Sequence, residues 1–436
     1  MLNILAAPAL AAGLLALPAA SGSPALAPLN AIYPDLEAFY LDLHKTPELS
    51  QQEEKTSAKM AARLRQLGYE VTDRVGGYGV VAVLRNGKGP TVLVRADMDA
   101  LPVEEKTGLP YASKVTAKNA AGTTVSVMHA CGHDIHMTSL IGAATLLAKA
   151  KARWRGTLVL VAQPAEEAGN GAQAMLKDGF LTRFPKPDFA IAFHDDPRLP
   201  AGKIGITPAF ATANVDSVDI TIYGRGGHGA SPQNTVDPIV LAARTILTLQ
   251  TIVSRENDPL SPVVVTVGSI HGGTKHNIIP DEVKLQLTVR TYTEEVRAKT
   301  LAAIARIAKA EAAGAGAPRE PNVAVDPDPG HAVYNDPAVA KRLAAAFARA
   351  VGSSNVVEPP PVMWAEDFGD FGRAAKVPSV LFVVGASNPK TFEEVHGDTT
   401  RLPGLHSPQF APDREPTLKT GAAALTLGAL ELLGKP

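Results

Sequence analysis

Cysteine is almost missing from this 436-residue chain: Cys131 stands alone. No intramolecular disulfide can form, whatever the compartment, so the one thiol needs another explanation. Charge of one sign is nowhere concentrated, with 42 Lys and Arg against 43 Asp and Glu. The basic footprint of a nucleic-acid binder is therefore absent, and a small molecule is the expected partner. There is no internal repeat and no coiled-coil heptad pattern. Apolar residues make up 45% and charged residues 19%, which places the chain among globular proteins and away from disordered ones. At this length two domains are expected.

A long uninterrupted apolar run is also lacking. The most apolar stretch, Ile4 to Ala20, is broken by Pro8 and Pro18 and falls short of the ~20 residues a membrane helix needs. Residues 1–27 instead read as a secretory signal peptide, with cleavage options near Ala20, Ser21 or Ala27. A periplasmic or secreted protein with no stable membrane insertion after cleavage is the expectation. No Lys or Arg precedes Lys45, so the basic n-region is missing and a cytoplasmic location is the alternative.

What is present is alternation of strand-like and helix-like pieces. Asp35 to Leu67 carries apolar residues at helical spacing up to Gly68. Short apolar runs at Val80 to Leu84, Thr91 to Val94, Leu158 to Ala162, Phe189 to Phe193 and Val380 to Val384 predict buried strands, and Met137 to Ala148 a helix. Such alternation predicts an α/β layer with a mostly parallel central sheet. From Val215 the pattern becomes strand, helix, two strands, helix, and the strands alternate as in a sheet solvated on one face. Residues 209–327 thus read as an inserted α+β domain, dividing the first domain into 28–208 and 328–436. The Ala/Gly/Pro-rich stretch Ala312 to Pro329 reads as the linker back.

Several of these strands end in polar residues that a core would not hold. Thr91 to Val94 leads into Arg95-Ala96-Asp97-Met98-Asp99, Leu158 to Ala162 into Gln163-Pro164-Ala165-Glu166-Glu167, and Phe189 to Phe193 into His194-Asp195-Asp196. The segment Met128 to Asp134, containing Cys131 and His133, precedes the helix. Ligands of open parallel sheets bind beyond the carboxyl ends of strands, so these segments can converge. Together they supply the donors of a zinc-like site, although each taken singly is a weak signal.

These residues carry a resemblance. Val94 to Pro102, Met128 to Asp134 with His136, Gln163 to Glu167, Gly226-Gly227-His228, Asn277 to Asp281 and Ala365-Glu366-Asp367-Phe368 resemble, in order, the hippurate hydrolase and indole-acetyl-amino-acid hydrolase branch of the aminoacylase-like dinuclear metallopeptidases. The resemblance implies a zinc-peptidase-like catalytic domain with an inserted lid and dimerisation domain, a homodimer, and two divalent metal ions, zinc or manganese. The implied activity is hydrolysis of N-acyl amino acids. Cys131, His133, Glu167, His194 and His406 match metal-ligand positions and Glu166 the general base. Asp97 is expected to orient a ligating histidine. His228 matches a residue that stabilises the oxyanion, often from the neighbouring subunit. Asn277 matches a contact to the substrate carboxylate or oxyanion, and Arg290 is a weaker candidate for the carboxylate.

The chain departs from that pattern in places. Arg95 replaces a histidine ligand of more distant relatives, with Cys131 as the substitute donor. Asp195 and Asp196 are expected to add negative charge near the metals, Gly229 and Gln233 differ near His228, and Trp364 stands where a small residue is common. The segment Ser113 to Val127 is longer than usual. Two competing readings are an exopeptidase or carbamoyl-amino-acid hydrolase on the same metal core, against which Arg95 argues, and a silent binding homologue. Retention of all the ligand types and of Glu166 argues against the latter.

Overall fold

The computed structural model describes residues 23–435. Most of the expected leader lies outside them, including the options at Ala20 and Ser21. Cleavage at Ala27 is disfavoured on packing grounds: Ala25 and Leu26, in the short turn Pro24–Leu26, are 3% and 2% exposed, and Leu26 joins the main core. Among the described residues no helix is long and apolar enough to cross a membrane.

The larger unit is built on an eight-stranded sheet. Four adjacent strands at its centre, Gly156–Gln163, Thr91–Asp97, Phe189–Pro200 and Ser379–Ser387, run parallel. Outside them the pairing is mixed. Glu70–Val75 and Gly79–Asn86 form an antiparallel hairpin that pairs antiparallel to Gly156–Gln163. Only three residues separate those two strands, too few for the crossover that a parallel pair needs. The central strands are apolar on both faces because both are covered. Val80, Ala82 and Leu84 enter one core while Val81 and Val83 enter the other. The helices Leu29–Lys45, His133–Lys149 and Arg414–Leu432 contribute to the first core.

The helical periodicity expected over Asp35 to Leu67 is split into Leu29–Lys45 and Glu54–Gln66. Thr46 precedes Pro47, which steers it away from helical geometry. The intervening loop then projects Ser50 and Glu53 toward the carboxyl ends of the central strands.

The smaller unit is a four-stranded antiparallel sheet in the order Val263–Gly272, Glu282–Thr291, Asn214–Tyr223, Asn322–Val325. Helices Pro238–Thr251 and Glu294–Gly314 are capped by the side chains of Asp237 and Thr293. They bury Val218, Ile220, Ile222, Leu285 and Leu287 in a core of its own. The expected linker is shorter than the composition indicates: its first residues finish the helix, and Asn322–Val325 pairs with Asn214–Tyr223 through Val218↔Val325. A four-residue alternating stretch is enough for an edge strand once a partner is already in place.

Backbone pairings join the units. Ala213 N donates to Trp364 O (3.1 Å), Val362 N to Ala211 O (3.0 Å), and Val215 bridges Gly330.

Candidate metal centre

The carboxyl ends of the central strands bring together the residues expected there. Thr91–Asp97 delivers Arg95 and Asp97, with Asp99 just beyond, and Gly156–Gln163 leads to Glu166 and Glu167. His194 lies within Phe189–Pro200, which runs on past the expected end, pairing His194 with Val383. Cys131 precedes Gly132, the residue that starts the helix His133–Lys149. Gly132 has φ of 78°, and a Cβ there would run into the Asp195 carboxylate, so only glycine fits. His406 arrives from the loop before the last helix, its amide donating to Ala130 O at 2.8 Å and its φ at 65°. A left-handed non-glycine residue costs about 1–3 kcal/mol and persists where its surroundings hold it.

Donor atoms of Cys131, His133 and His194 lie within 4.8 Å of one another, as do those of Cys131, Glu167 and His406, and of His133, Glu166 and Glu167. Cys131 Sγ is 3.4 Å from His194 Nε2, and Glu167 Oε1 is 3.4 Å from His406 Nε2 and 3.8 Å from His133 Nε2. His194 Nδ1 sits 2.7 Å from the Asp195 carbonyl, which fixes the proton on Nδ1 and leaves Nε2 as a donor pair facing Cys131. His133 Nε2 and Glu167 Oε1 are buried with no hydrogen-bond partner. Buried polar atoms are otherwise nearly always satisfied, so these unpaired N and O donors, converging with the Cys131 sulfur, fit divalent cations.

The electrostatics agree. Burial alone would lower the His133 pKa, yet Asp97, Asp99 and Glu167 push it up to about 9. Burial pushes the Cys131 thiol well up, and Glu167, Glu166, Asp195 and Asp97 add to it. Glu166 is raised well above the carboxylate range by burial, then by Glu366 and Glu167. Asp367 rises to about 7, again from burial, against which the Arg95 guanidinium acts. Carboxylates outnumber cations in this pocket, and positive charge is what it lacks.

Asp97 reaches a candidate ligand only at longer range, its Oδ2 3.8 Å from His133 Nε2. Its Oδ1 is 2.6 Å from His136 Nδ1 and its Oδ2 accepts from Arg95 at 2.6 Å. The carboxylate facing His133 is Asp99, 3.2 Å from Nδ1; its other oxygen accepts from Ser50 Oγ (2.6 Å) and from the Glu167 amide (3.0 Å). Asp99 therefore positions a candidate ligand on each side. Asp196 adds no free charge, because Arg198 holds it with two hydrogen bonds of 2.9 and 2.7 Å. Asp195 does remain buried against His136 and His194.

Other contributors had no motif of their own. Glu53, fully buried, accepts from the Ala165 amide at 2.8 Å and so braces the residue, at φ 52°, that immediately precedes Glu166. Arg95 is fully buried and donates to Asp97, Glu366, Asp367 and Gln163, tying two strand ends to the loop before the helix Gly369–Ala375. His44 lies 2.7 Å from Asp134 and 3.2 Å from Glu105; burial opposes its charge, but the two acids push it up to about 9. The Arg95 network was announced by its charged residues in apolar surroundings. Glu53 carried no comparable signal.

His228, Asn277 and Arg290 are not brought into this cluster. His228 is exposed on a two-residue ladder with Ile278–Ile279, its ring accepting from Ala230 N at 3.1 Å, and Asn277 O accepts from Gly229 N at 2.9 Å. They stand by a groove of about 550 Å³ lined by Asp237, Ile239, Lys275, His276 and Ile278, none of them a metal-cluster residue. Arg290 lies on the solvated face of its strand, with Nε donating to Thr288.

The profile of peptidase family M20/M25/M40 matches residues 93–406, from the first strand-end motif to the last candidate ligand. The chain belongs to the M20 peptidase family. Thermostable carboxypeptidase 1 of Saccharolobus solfataricus is 37% identical over 397 residues, covering 90% of this chain and 94% of that protein. Hippurate hydrolase of Campylobacter jejuni is 40% identical over 276 residues, 63% of this chain and 69% of the relative. Among solved structures, a dinuclear metal binding peptidase from the M20 family of Bacillus subtilis superposes with a TM-score of 0.75 at 31% identity, covering 93% of this chain and all of that one (100%). Sequence, fold and donor set thus agree on a metal-dependent M20 amidohydrolase or peptidase.

Proposed function

We propose that this M20 hydrolase cleaves the amide joining an acyl group to an amino acid, releasing a carboxylic acid and the free amino acid. The observation that carries the reading is the division between two neighbouring glutamates. Glu167 turns a buried, unpaired oxygen toward His133 and His406. Glu166, half-buried beside them, makes no side-chain hydrogen bond among the described residues. Cys131, His133, Glu167, His194 and His406 would hold two cations, zinc or manganese. When bound, these supply positive charge that polarises the scissile carbonyl and lowers the pKa of water. Glu166 takes the proton from the attacking water and passes it to the leaving amine nitrogen. Relatives with matching chemistry, hippurate hydrolase among them, support the reading.

A test is release of free amino acid from N-acetyl, N-benzoyl and indole-acetyl amino acids, with a carbamoyl amino acid and a blocked dipeptide alongside. Release is expected to stop in chelator and to return with zinc or manganese. Turnover untouched by chelator, or no release from any acyl amino acid, would refute it. Cleavage of the blocked dipeptide alone would favour carboxypeptidase activity, the reading that the Saccharolobus relative supports.

We further propose a homodimer in which His228 serves the partner's site. Val240 and Leu247 on the helix Pro238–Thr251 are 56% and 72% exposed, and Ile270 on the outer strand Val263–Gly272 is 51% exposed. Such an apolar face beside an unpaired strand edge suits a second copy. His228→Ala is expected to keep its metal and lose about a hundredfold in turnover, the size of a lost oxyanion donor. Mixing it with Glu166→Gln chains should restore part of the activity, since a hybrid dimer contains one complete site. No recovery after verified subunit exchange excludes the partner's role.

A further inference from the structure

Trp364 is one of only two tryptophans in the chain, and the other, Trp154, is buried in the core away from the strand ends. Its indole leans on His194, with ring centroids 5.4 Å apart and planes inclined by 52°. His194 points Nε2 at Cys131, so Trp364 stands one side chain from the metal cluster. Trp364 also lines a cavity together with Asp196, Arg198, Thr212, Val362 and Val383. The backbone is pinned at the crossing between the two units, Trp364 O accepting from Ala213 and Val362 O from the Tyr292 hydroxyl at 3.1 Å.

We infer that Trp364 sets the size of acyl group this chain accepts: the indole beside His194 occupies that side of the cluster and restricts it to small acyl groups such as acetyl. This deepens the hydrolysis proposed above and rests on it. A substituent on the scissile carbonyl must come within reach of the cations and Glu166 together, which places it beside His194 and against the indole. An aromatic acyl group would need the same space. The backbone that carries the ring is tied into the crossing segment.

The experiment compares wild type, Trp364→Ala and Trp364→Leu with N-acetyl and N-benzoyl derivatives of one amino acid. In parallel, calorimetry measures acetate and benzoate binding to the same metal-replete proteins, a readout independent of turnover. Both variants are expected to raise the benzoyl-to-acetyl ratio of kcat/KM by at least about tenfold, the lower end of what a change in an apolar pocket achieves, chiefly through KM. Benzoate should tighten relative to acetate while metal content stays at the wild-type level. An unchanged ratio in both arms overturns the inference, and so does a falling one, which would make the indole a stacking platform for aromatic acyl groups. If wild type released no amino acid from either derivative, the hydrolase reading would fail, and the carboxylate arm would still decide what Trp364 does.

Discussion

Glu166→Gln is expected to keep both metals and near-normal substrate affinity while turnover falls by about a hundred- to ten-thousandfold, the usual contribution of a general base. The amide retains the size and hydrogen-bonding capacity of the acid but cannot accept a proton from water. Glu166 makes no side-chain hydrogen bond among the described residues, and its immediate support is the backbone at Ala165, braced by Glu53. The substitution should therefore disturb little else. Glu167→Gln makes the contrasting case. Its Oε1 faces His133 and His406, and a neutral amide is a poorer partner for a divalent cation, so metal content should fall along with activity. Metal analysis and steady-state kinetics on the two variants separate the roles. Metal lost from Glu166→Gln and kept by Glu167→Gln would reverse the assignment.

Cys131→Ser should fold with a thermal transition close to wild type, yet retain less than the full metal complement and little activity. The position lies in two of the donor groups, one with His133 and His194 and one with Glu167 and His406. A residue shared by both groups would help to hold each of the two cations. Serine matches the shape but does not ionise as a thiol does, so it contributes far less to holding two cations. Full metal occupancy in purified Cys131→Ser would remove Cys131 from the ligand set. A strongly lowered transition with metal retained would make Cys131 a packing residue instead.

Much of the catalytic unit was legible because its physics is local. The central strands announce themselves as continuous apolar runs since both faces are covered, and Asp216 to Ile222 alternates since one face of that sheet meets solvent. Polar residues just past those runs pointed to the strand ends as the site. The break at Pro47 inside an apparently continuous helical stretch was less visible. Periodicity carries on through a loop whose purpose is to send Ser50 and Glu53 elsewhere.

Pairings at distance were not legible in the same way. Asp97 and Asp99 are two residues apart, and either could face a histidine. Only the packing of the helix His133–Lys149 against the strand ends puts His136 on Asp97 and His133 on Asp99. Likewise the run of acids at Asp195 and Asp196 reads as doubled charge until Arg198 is seen to neutralise one of them.

By itself, then, the sequence determined the layer type, the strand ends and the chemical kinds of donor. Each of these is set by spacing along one short segment, by backbone geometry and by what a core will bury. The tertiary structure alone decided which donors share a pocket, which carboxylate positions which histidine, and that His228 stands apart from the cluster in a single chain. Those depend on contacts between residues tens to hundreds of positions apart, such as Arg95 with Glu366, whose distance is set by how whole elements pack and by no local preference of either residue.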